Sequence, residues 1–216
     1  NNILVTVNLI DNAGNKSSKD VGTYAIDKTL PVISSVEYRG TAYNNKYYQK
    51  RSAIITIDEL NFAQKRTKVT IQKGSEVLDI TKEFVNTKEN EWQMTCEFGG
   101  NSEYGDGDYS NLTVTTMDKA GNVAKTVVSN DSFTIDNQKP TMTITYDNNN
   151  AKSGTYYGEA RTATITVNEH NFAPEDITVD ARKDGTPISI SGWSGSGDTH
   201  VATVSFNADG NYTISA

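Results

Sequence analysis

Apolar and polar residues alternate along much of this chain with the two-residue period of a half-buried β-strand. Segments 53–57 (AIITI) and 163–167 (ATITV) show the pattern twice. Their first, third and fifth positions are apolar in both, whereas the second and fourth positions include three threonines. We therefore predict that Ala53, Ile55 and Ile57 face a core.

Strand signals of this kind recur at short intervals between residues 30 and 139. The predicted strands are 32–38, 52–58, 68–72, 76–80, 91–98 and 109–117, with one or two more within 123–135. Gly, Asn and Asp punctuate the gaps between them. No segment has apolar residues at the i, i+3, i+4, i+7 spacing, so any helix should be marginal.

The only cysteine of the chain lies in one of these strands. Alternation places Trp92, Met94, Cys96 and Phe98 on the same face, which predicts a buried thiol at Cys96. A single cysteine also excludes an internal disulfide.

The chain repeats itself at the length of a domain. Residues 11–15 (DNAGN) return as 118–122 (DKAGN), an offset of 107, and residues 24–27 (YAID) return as 133–136 (FTID), an offset of 109. Other repeated segments are 47–48 (YY) with 156–157, 51–57 with 161–167, and 59–62 (ELNF) with 169–172 (EHNF). Repetition at this length indicates a modular array.

The repeat predicts where the domains begin and end. Residues 30–139 form one complete copy, and residues 140–216 form a second copy without its last strands. Residues 1–29 match the final strands of a preceding copy. We therefore expect residues 1–29 of one molecule to complete the C-terminal copy of a neighbour by strand pairing, or the chain boundaries to be proteolytic.

A tyrosine follows a glycine turn at matching places in the two copies. Residues 106–109 (DGDY) and 209–212 (DGNY) place Tyr109 and Tyr212 at the start of a strand. This is the arrangement of the tyrosine corner in Greek-key sandwiches, although an ordinary half-buried strand tyrosine is the alternative. Seven or so strands in about 109 residues fit an immunoglobulin-like sandwich.

Two motifs, each present twice, together resemble those of bacterial immunoglobulin-like repeats: Tyr/Phe-x-Ile-Asp-x-x-x-Pro at 24–31 and 133–140, and the DxAGN turn at 11–15 and 118–122. The resemblance covers essentially the whole chain. It implies an all-β fold of tandem immunoglobulin-like β-sandwiches in an elongated array. The short junctions that end at Pro31 and Pro140 favour such a rod because proline limits bending there.

The family resemblance also implies a function. Such repeats are usually non-catalytic spacers that project or present a binding domain at the bacterial cell surface, in the cell wall or outside the cell. Partners would be surface proteins or glycans of a host or a neighbouring cell. The alternative is an accessory glycan- or protein-binding module of a secreted carbohydrate-active enzyme. We expect no enzyme activity and no required cofactor.

Charge and hydropathy narrow the partners further. The formal net charge is −7 at pH 7, which argues against a phosphate-binding surface and hence against nucleic acid. No apolar stretch is long enough to span a bilayer, so no membrane insertion is expected of these residues.

Two hypotheses give a role to the carboxylates of the DxAGN turns. In the first, Asp11 and Asp118 accept backbone N–H groups in an Asx-type turn, and Gly14 and Gly121 adopt positive φ. In the second, calcium stiffens the junctions between domains, as in some related bacterial arrays, although no EF-hand-like run of acids is present. Its candidate ligands are Asp11, Asp27, Asp118, Asp136, Glu59 and Glu169.

Three aromatic residues are candidates for ligand contact. Trp193 lies in a glycine-rich loop, where an exposed indole could stack on a sugar, although a tryptophan under a sandwich edge is commoner. Tyr156 and Tyr157 repeat the pair at 47–48 and could form part of a glycan or protein surface. The competing interpretation puts one tyrosine of each pair in the core and the other on the surface.

Overall fold

The computed structural model describes residues 2–216 as two compact units, Asn1–Asn137 and Gln138–Ala216. The described residues form strands and two short 3-10 turns, Gln64–Arg66 and Pro174–Asp176, which confirms the all-β prediction. The division between the units falls two residues before the predicted boundary at Pro140. No helix within residues 2–216 is long and apolar enough to cross a membrane.

The chain begins with a two-stranded hairpin. Strands β1 (Asn2–Ile10) and β2 (Lys16–Ala25) are antiparallel and, among the described strands, pair only with each other. Val5 and Val7 correspond to Leu112 and Val114 of the complete copy, and two apolar pairs at matching positions predict an inner face for them. They keep 39% and 43% of their surface exposed. That prediction is wrong in this setting because the hairpin has no second sheet to pack against.

The rest of the first unit contains two sheets. The first sheet has the order β3-β5-β9-β8, formed by β3 (Val32–Arg39), β5 (Lys50–Asp58), β9 (Glu91–Gly99) and β8 (Val85–Lys88). The second has the order β4-β12-β10-β6-β7, and β11 also pairs with β10. Its strands are β4 (Tyr47–Tyr48), β6 (Lys68–Lys73), β7 (Glu76–Asp79), β10 (Gly107–Thr115), β11 (Val127–Ser129) and β12 (Phe133–Ile135).

Both sheets of this unit contribute to one apolar core, as in a β-sandwich. Ala53, Ile55 and Ile57 are fully buried, as the alternation predicts. Cys96 is also fully buried, and its thiol is free. Ile54, on the other face of β5, keeps only 9% of its surface because β5 lies between β3 and β9 in the sheet.

The second unit repeats much of this arrangement in fewer strands. One sheet has the order β13-β14-β18-β17, formed by β13 (Thr141–Tyr146), β14 (Arg161–Asn168), β18 (Thr199–Phe206) and β17 (Ser194–Ser196). The other has the order β16-β15-β19, formed by β16 (Thr186–Pro187), β15 (Asp180–Lys183) and β19 (Tyr212–Ser215). The fully buried residues of its smaller core include Ala163, Ile165 and Val204.

Both predicted tyrosine corners are present. The Tyr109 hydroxyl donates to the backbone carbonyl of Gly105 at 2.6 Å, and the Tyr212 hydroxyl donates to that of Ala208 at the same distance. Tyr109 is 1% exposed, whereas Tyr212 is only half-buried. The difference arises because β12 covers Tyr109, while in the second unit no strand among residues 138–216 does the same for Tyr212.

Candidate functional site

Three of the repeated motifs meet at one end of the first sandwich. Asp27 follows strand β2, Glu59 follows strand β5, and Asp118 begins the 118–122 turn after β10. One carboxylate oxygen from each lies within 4.8 Å of the other two. Three of the six acids predicted as calcium ligands are thus brought together.

The Asp118 carboxylate is held by its own turn. It accepts the backbone N–H of Asn122 at 2.8 Å and the side-chain amide of Asn122 at 2.7 Å. Gly121 has φ +96°, as the turn hypothesis predicts, because glycine adopts positive φ without steric cost. The turn therefore positions Asp118 with or without an ion.

Glu59 is held by its own loop and by burial. Its carboxylate accepts the backbone N–H of Asn61 at 2.6 Å. Phe62 is buried next to it, with its ring stacked on Trp92 at 4.8 Å between centroids, and so closes this end of the core. The Trp92 indole donates to the Glu59 carbonyl at 2.9 Å, which anchors the loop to the sandwich.

Asp27 reaches the cluster from the segment between the hairpin and β3. Its carboxylate accepts the side-chain amide of Asn61 at 2.6 Å and the backbone N–H of Thr29 at 2.9 Å. Its carbonyl accepts the side-chain amide of Asn122 at 3.2 Å. Two asparagines thus tie residue 27 to the sandwich.

Asn61 and Asn122 are the residues whose roles the sequence analysis missed. An asparagine that follows a strand usually bonds to the backbone of its own loop, but the Asn61 side chain donates to a carboxylate. The recurrence of asparagine in ExNF and at the end of DxAGN was the available signal. It could not indicate the partner, which lies 34 residues away in the chain for the bond between Asn61 and Asp27.

The electrostatics of the cluster differ from one carboxyl to the next. Burial, followed by repulsion from Asp27 and Asp118, raises the pKa of the Glu59 carboxyl, against the lowering effect of the Asn61 N–H. The pKa of Asp27 is lowered, chiefly by the hydrogen bond from Asn61. Glu59 is therefore the group at which either a proton or a cation would relieve the negative charge.

The other three predicted calcium ligands lie outside this cluster. Asp11 is exposed in the β1–β2 turn, where its carboxylate accepts the Asn15 backbone and side-chain N–H groups at 2.8 and 2.7 Å. Asp136 follows β12 in the first unit, and its backbone N–H donates to the Tyr48 carbonyl at 3.0 Å. Glu169 lies in the second unit and accepts the backbone N–H of Asn171 at 2.8 Å.

The predicted ligand-contact residues lie in the second unit. Trp193 is half-buried with its ring edge-on to Phe172 at 5.3 Å, which supports a packing role. Tyr156 is 74% exposed, whereas Tyr157 is half-buried with its ring 4.2 Å from the Arg161 guanidinium carbon. Residues 156 and 157 thus divide between surface and interior.

A single substitution at Glu59 tests whether calcium binds to this cluster. Replacing Glu59 by glutamine keeps an oxygen that accepts the Asn61 N–H but removes the buried charge. The calcium hypothesis predicts that calcium at about a hundred times its dissociation constant raises the unfolding free energy of the native protein by about 2.7 kcal/mol. Glu59→Gln should lose most of that gain. Urea unfolding at pH 7, with calcium and with a chelator, measures this gain for the native protein and for the variant.

The same variant has an effect on pH dependence without calcium. Because the folded pKa of Glu59 lies above the ordinary value of 4.5, the folded state holds this proton more tightly than the unfolded chain does. Its contribution to stability is present below pH 4.5 and is lost as the pH rises through the folded pKa. Glu59→Gln should remove that slope, whereas Glu76→Gln, which neutralises an exposed glutamate, should not. In the calcium experiment, an equal gain in unfolding free energy for Glu59→Gln and Glu76→Gln would contradict calcium binding at this cluster.

Comparison of the sequence with models of known protein families finds no match, and comparison with curated protein sequences finds none at a significant level. The fold and the chemistry of the described residues therefore carry the functional argument.

Proposed function

We infer that this chain is a non-catalytic structural or adhesive module, built from tandem immunoglobulin-like repeats, which projects or presents a binding domain at a bacterial cell surface. The observation that carries this proposal is that one sequence repeat builds much of the same strand pattern twice, each copy with its own core. Repetition of a whole domain is what an extended array requires, whereas a single active site needs no repetition.

The two copies agree in detail. The pairing of β3 with β5 and of β5 with β9 returns in the pairing of β13 with β14 and of β14 with β18. A 3-10 turn follows the ExNF element in each copy. These shared features support a structural role for the repeat and an immunoglobulin-like fold for both copies.

Cys96, Asp118 and His170 are groups that could be reactive, and each is buried or engaged in a contact within its own unit. Burial raises the pKa of the Cys96 thiol to about 12, so at neutral pH it is not a nucleophile. The Asp118 carboxylate is engaged by its turn, and the His170 ring contacts Asp198 at 2.8 Å. These contacts support a role without catalysis, and calcium remains a prediction that the Glu59→Gln experiment tests.

Small-angle X-ray scattering of the purified chain tests the array. A single compact globule of this length has a radius of gyration of about 17 Å. We expect a clearly larger value and an asymmetric distance distribution, because two sandwiches joined end to end are longer than one globule. A radius close to about 17 Å would contradict the proposed rod.

The accessory-module alternative is favoured by one observation, the exposure of Tyr156 beside the half-buried Tyr157 and Arg161. Aromatic surfaces of this kind stack on sugars. A glycan array separates the two proposals: specific binding lost in Tyr156→Ala but kept in Trp193→Phe would favour a glycan-binding module. A native chain that binds no glycan on the array would contradict the accessory-module alternative and favour the structural role.

A further inference from the structure

Residues 43–47 (YNNKY) of the first unit form a turn with a tyrosine at each end. The Tyr43 N–H donates to the Tyr47 carbonyl at 2.7 Å, and the Tyr47 N–H donates to the Tyr43 carbonyl at 3.1 Å. Residues that exchange both bonds in this antiparallel way project their side chains to the same side. Both tyrosine side chains therefore start from one face of the 43–47 turn.

The 43–47 turn is held in one conformation. Asn44 and Asn45 have φ +46° and +66°, left-handed values that asparagine adopts more readily than most residues. Tyr47 begins β4, which pairs with β12, and the Lys46 carbonyl accepts the Thr134 N–H at 2.9 Å. A ligand that binds here therefore meets side chains on a rigid support, which lowers the entropic cost of binding.

The side chains of the turn are open to solvent. Tyr43 keeps 67% of its surface exposed, and Asn44, Asn45 and Lys46 are exposed as well. The Lys46 ammonium lies 4.9 Å from the centre of the Tyr47 ring, and within residues 2–216 it forms no ion pair. The turn thus offers an exposed aromatic ring, two amides and an ammonium group without a carboxylate partner.

The second copy builds a similar turn from different side chains. Residues 152–156 (KSGTY) match residues 43–47 at the offset of 109, and the Lys152 N–H donates to the Tyr156 carbonyl at 2.7 Å. Gly154, the counterpart of Asn45, also has positive φ, +54°. Because this turn forms without counterparts of Tyr43 and Lys46, the architecture of the repeat gives these two side chains no structural role.

The segment around the 43–47 turn is basic, in contrast to the chain as a whole. Residues 38–57 contain no Asp or Glu but four basic residues, Arg39, Lys46, Lys50 and Arg51. Lys50 and Arg51 pair with acids of their own unit, whereas Arg39 and Lys46 form no ion pair within residues 2–216. The matching residues 146–167 balance two basic residues with two acids, Asp147 and Glu159. Local charge therefore favours an anionic group at the first turn only.

We propose that the 43–47 turn binds a glycan that contains a carboxylated sugar. The sugar ring stacks on the exposed ring of Tyr43, because the C–H groups of a pyranose pack against an aromatic face. Its carboxylate pairs with the Lys46 ammonium, and the side-chain amides of Asn44 and Asn45 bond to sugar hydroxyls. Nucleic acid would need more positive charge than Arg39 and Lys46 supply.

This binding site goes beyond the proposed function and does not depend on it. A single turn binds a glycan whether or not the two units form a rod. It also differs from the site of the accessory-module alternative, which lies at Tyr156 in the second unit.

Glycan binding by the whole chain tests the proposal. On an array of carboxylated, sulfated and neutral glycans, we expect binding to carboxylated glycans only, and esterification of the carboxylates should abolish it. Tyr43→Ser and Lys46→Thr should each weaken binding about tenfold or more, as the loss of an aromatic anchor or of a charge pair does. Both side chains are exposed, so the variants should unfold at the same urea concentration as the native chain.

Matched variants separate the turn from the rest of the surface. Tyr24→Ser and Lys65→Thr replace an exposed tyrosine and an exposed lysine outside the turn, and both should bind as the native chain does. A further variant carries the KSGT sequence of residues 152–155 in place of residues 43–46. It should keep the turn and lose binding.

Three results would overturn the proposal. The first is a native chain that binds no carboxylated glycan. The second is equal binding to the esterified or sulfated forms, because the carboxylate would then contribute nothing. The third is binding that survives Tyr43→Ser or the KSGT replacement, because the site would then lie elsewhere. A compact radius of gyration would contradict the rod but not this site, so the two proposals fail separately.

Discussion

Replacing Phe98 by alanine should lower the free energy of unfolding of the first unit by about 3–5 kcal/mol. Phe98 has none of its surface exposed, and its ring lies 5.0 Å from that of Tyr109 and 5.2 Å from that of Phe133. The ring therefore joins β9 of one sheet to β10 and β12 of the other. Truncation removes the transfer energy of the ring and leaves a cavity that these fixed neighbours cannot close.

Phe206 is the matched control, because it occupies the corresponding place in the second unit. Its ring contacts Tyr212 and Tyr146 at 4.7 and 6.4 Å, but it is only half-buried because no strand equivalent to β12 lies over it within residues 138–216. Phe206→Ala should cost the second unit only about 1–2 kcal/mol.

The units each contain one tryptophan, Trp92 and Trp193, so denaturant unfolding can be followed in two single-tryptophan backgrounds. Phe98→Ala should shift the Trp92 transition, and Phe206→Ala should shift the Trp193 transition by less. Equal losses at the two positions would mean that β12 does not account for the difference in burial.

The predictable part of the fold is the part set by local alternation. Met94, Cys96 and Phe98 are fully buried as their spacing predicts, because a two-residue period in a strand leaves only the choice of face. Tyr109 was also located correctly, since the tyrosine corner depends on a hydrogen bond across four residues.

Short strands and long-range pairings were not predictable in this way. Strand β4 has two residues, too few to show a period, and it forms because β12 arrives beside it from far along the chain. Strand β8 (Val85–Lys88) was missed because all four of its residues are exposed, so it has no apolar face to recognise. The prediction of an inner face for Val5 was wrong for the opposite reason. Its strand has a recognisable apolar face, but no second sheet among the described residues covers the hairpin.

The candidate site was predictable as a set of residue types but not as a place. The repeat pointed to Glu59 and Asp118 because their motifs recur. It could not show that Asp27 joins these two and Asp11 does not, because that depends on how the segment after β2 enters the sandwich. The hydrogen bond from Asn61 places Asp27 in the cluster, and it is a tertiary contact that the local sequence does not show.

A second large effect is expected at Gly99, the last residue of β9. Gly99 has φ +74°, a backbone conformation that costs an L-residue about 1–2 kcal/mol. A methyl group there would overlap the backbone carbonyl oxygen of Gln49 and lie 2.9 Å from a methyl carbon of Ile135. Because the carbonyl is backbone and Ile135 is 1% exposed, neither can move aside. Gly99→Ala should therefore lower the unfolding free energy by about 3–5 kcal/mol.

The neighbouring Gly100 separates the two causes. It also has positive φ, +57°, but the nearest atom to an added methyl group is a side-chain carbon of Lys50 at 3.9 Å. Gly100→Ala should cost about 1–2 kcal/mol, the conformational part alone. Urea unfolding of both variants, followed by Trp92 fluorescence, measures the difference. If the two substitutions cost the same, steric overlap under β12 contributes nothing, and the turn conformation alone explains why glycine occupies both positions.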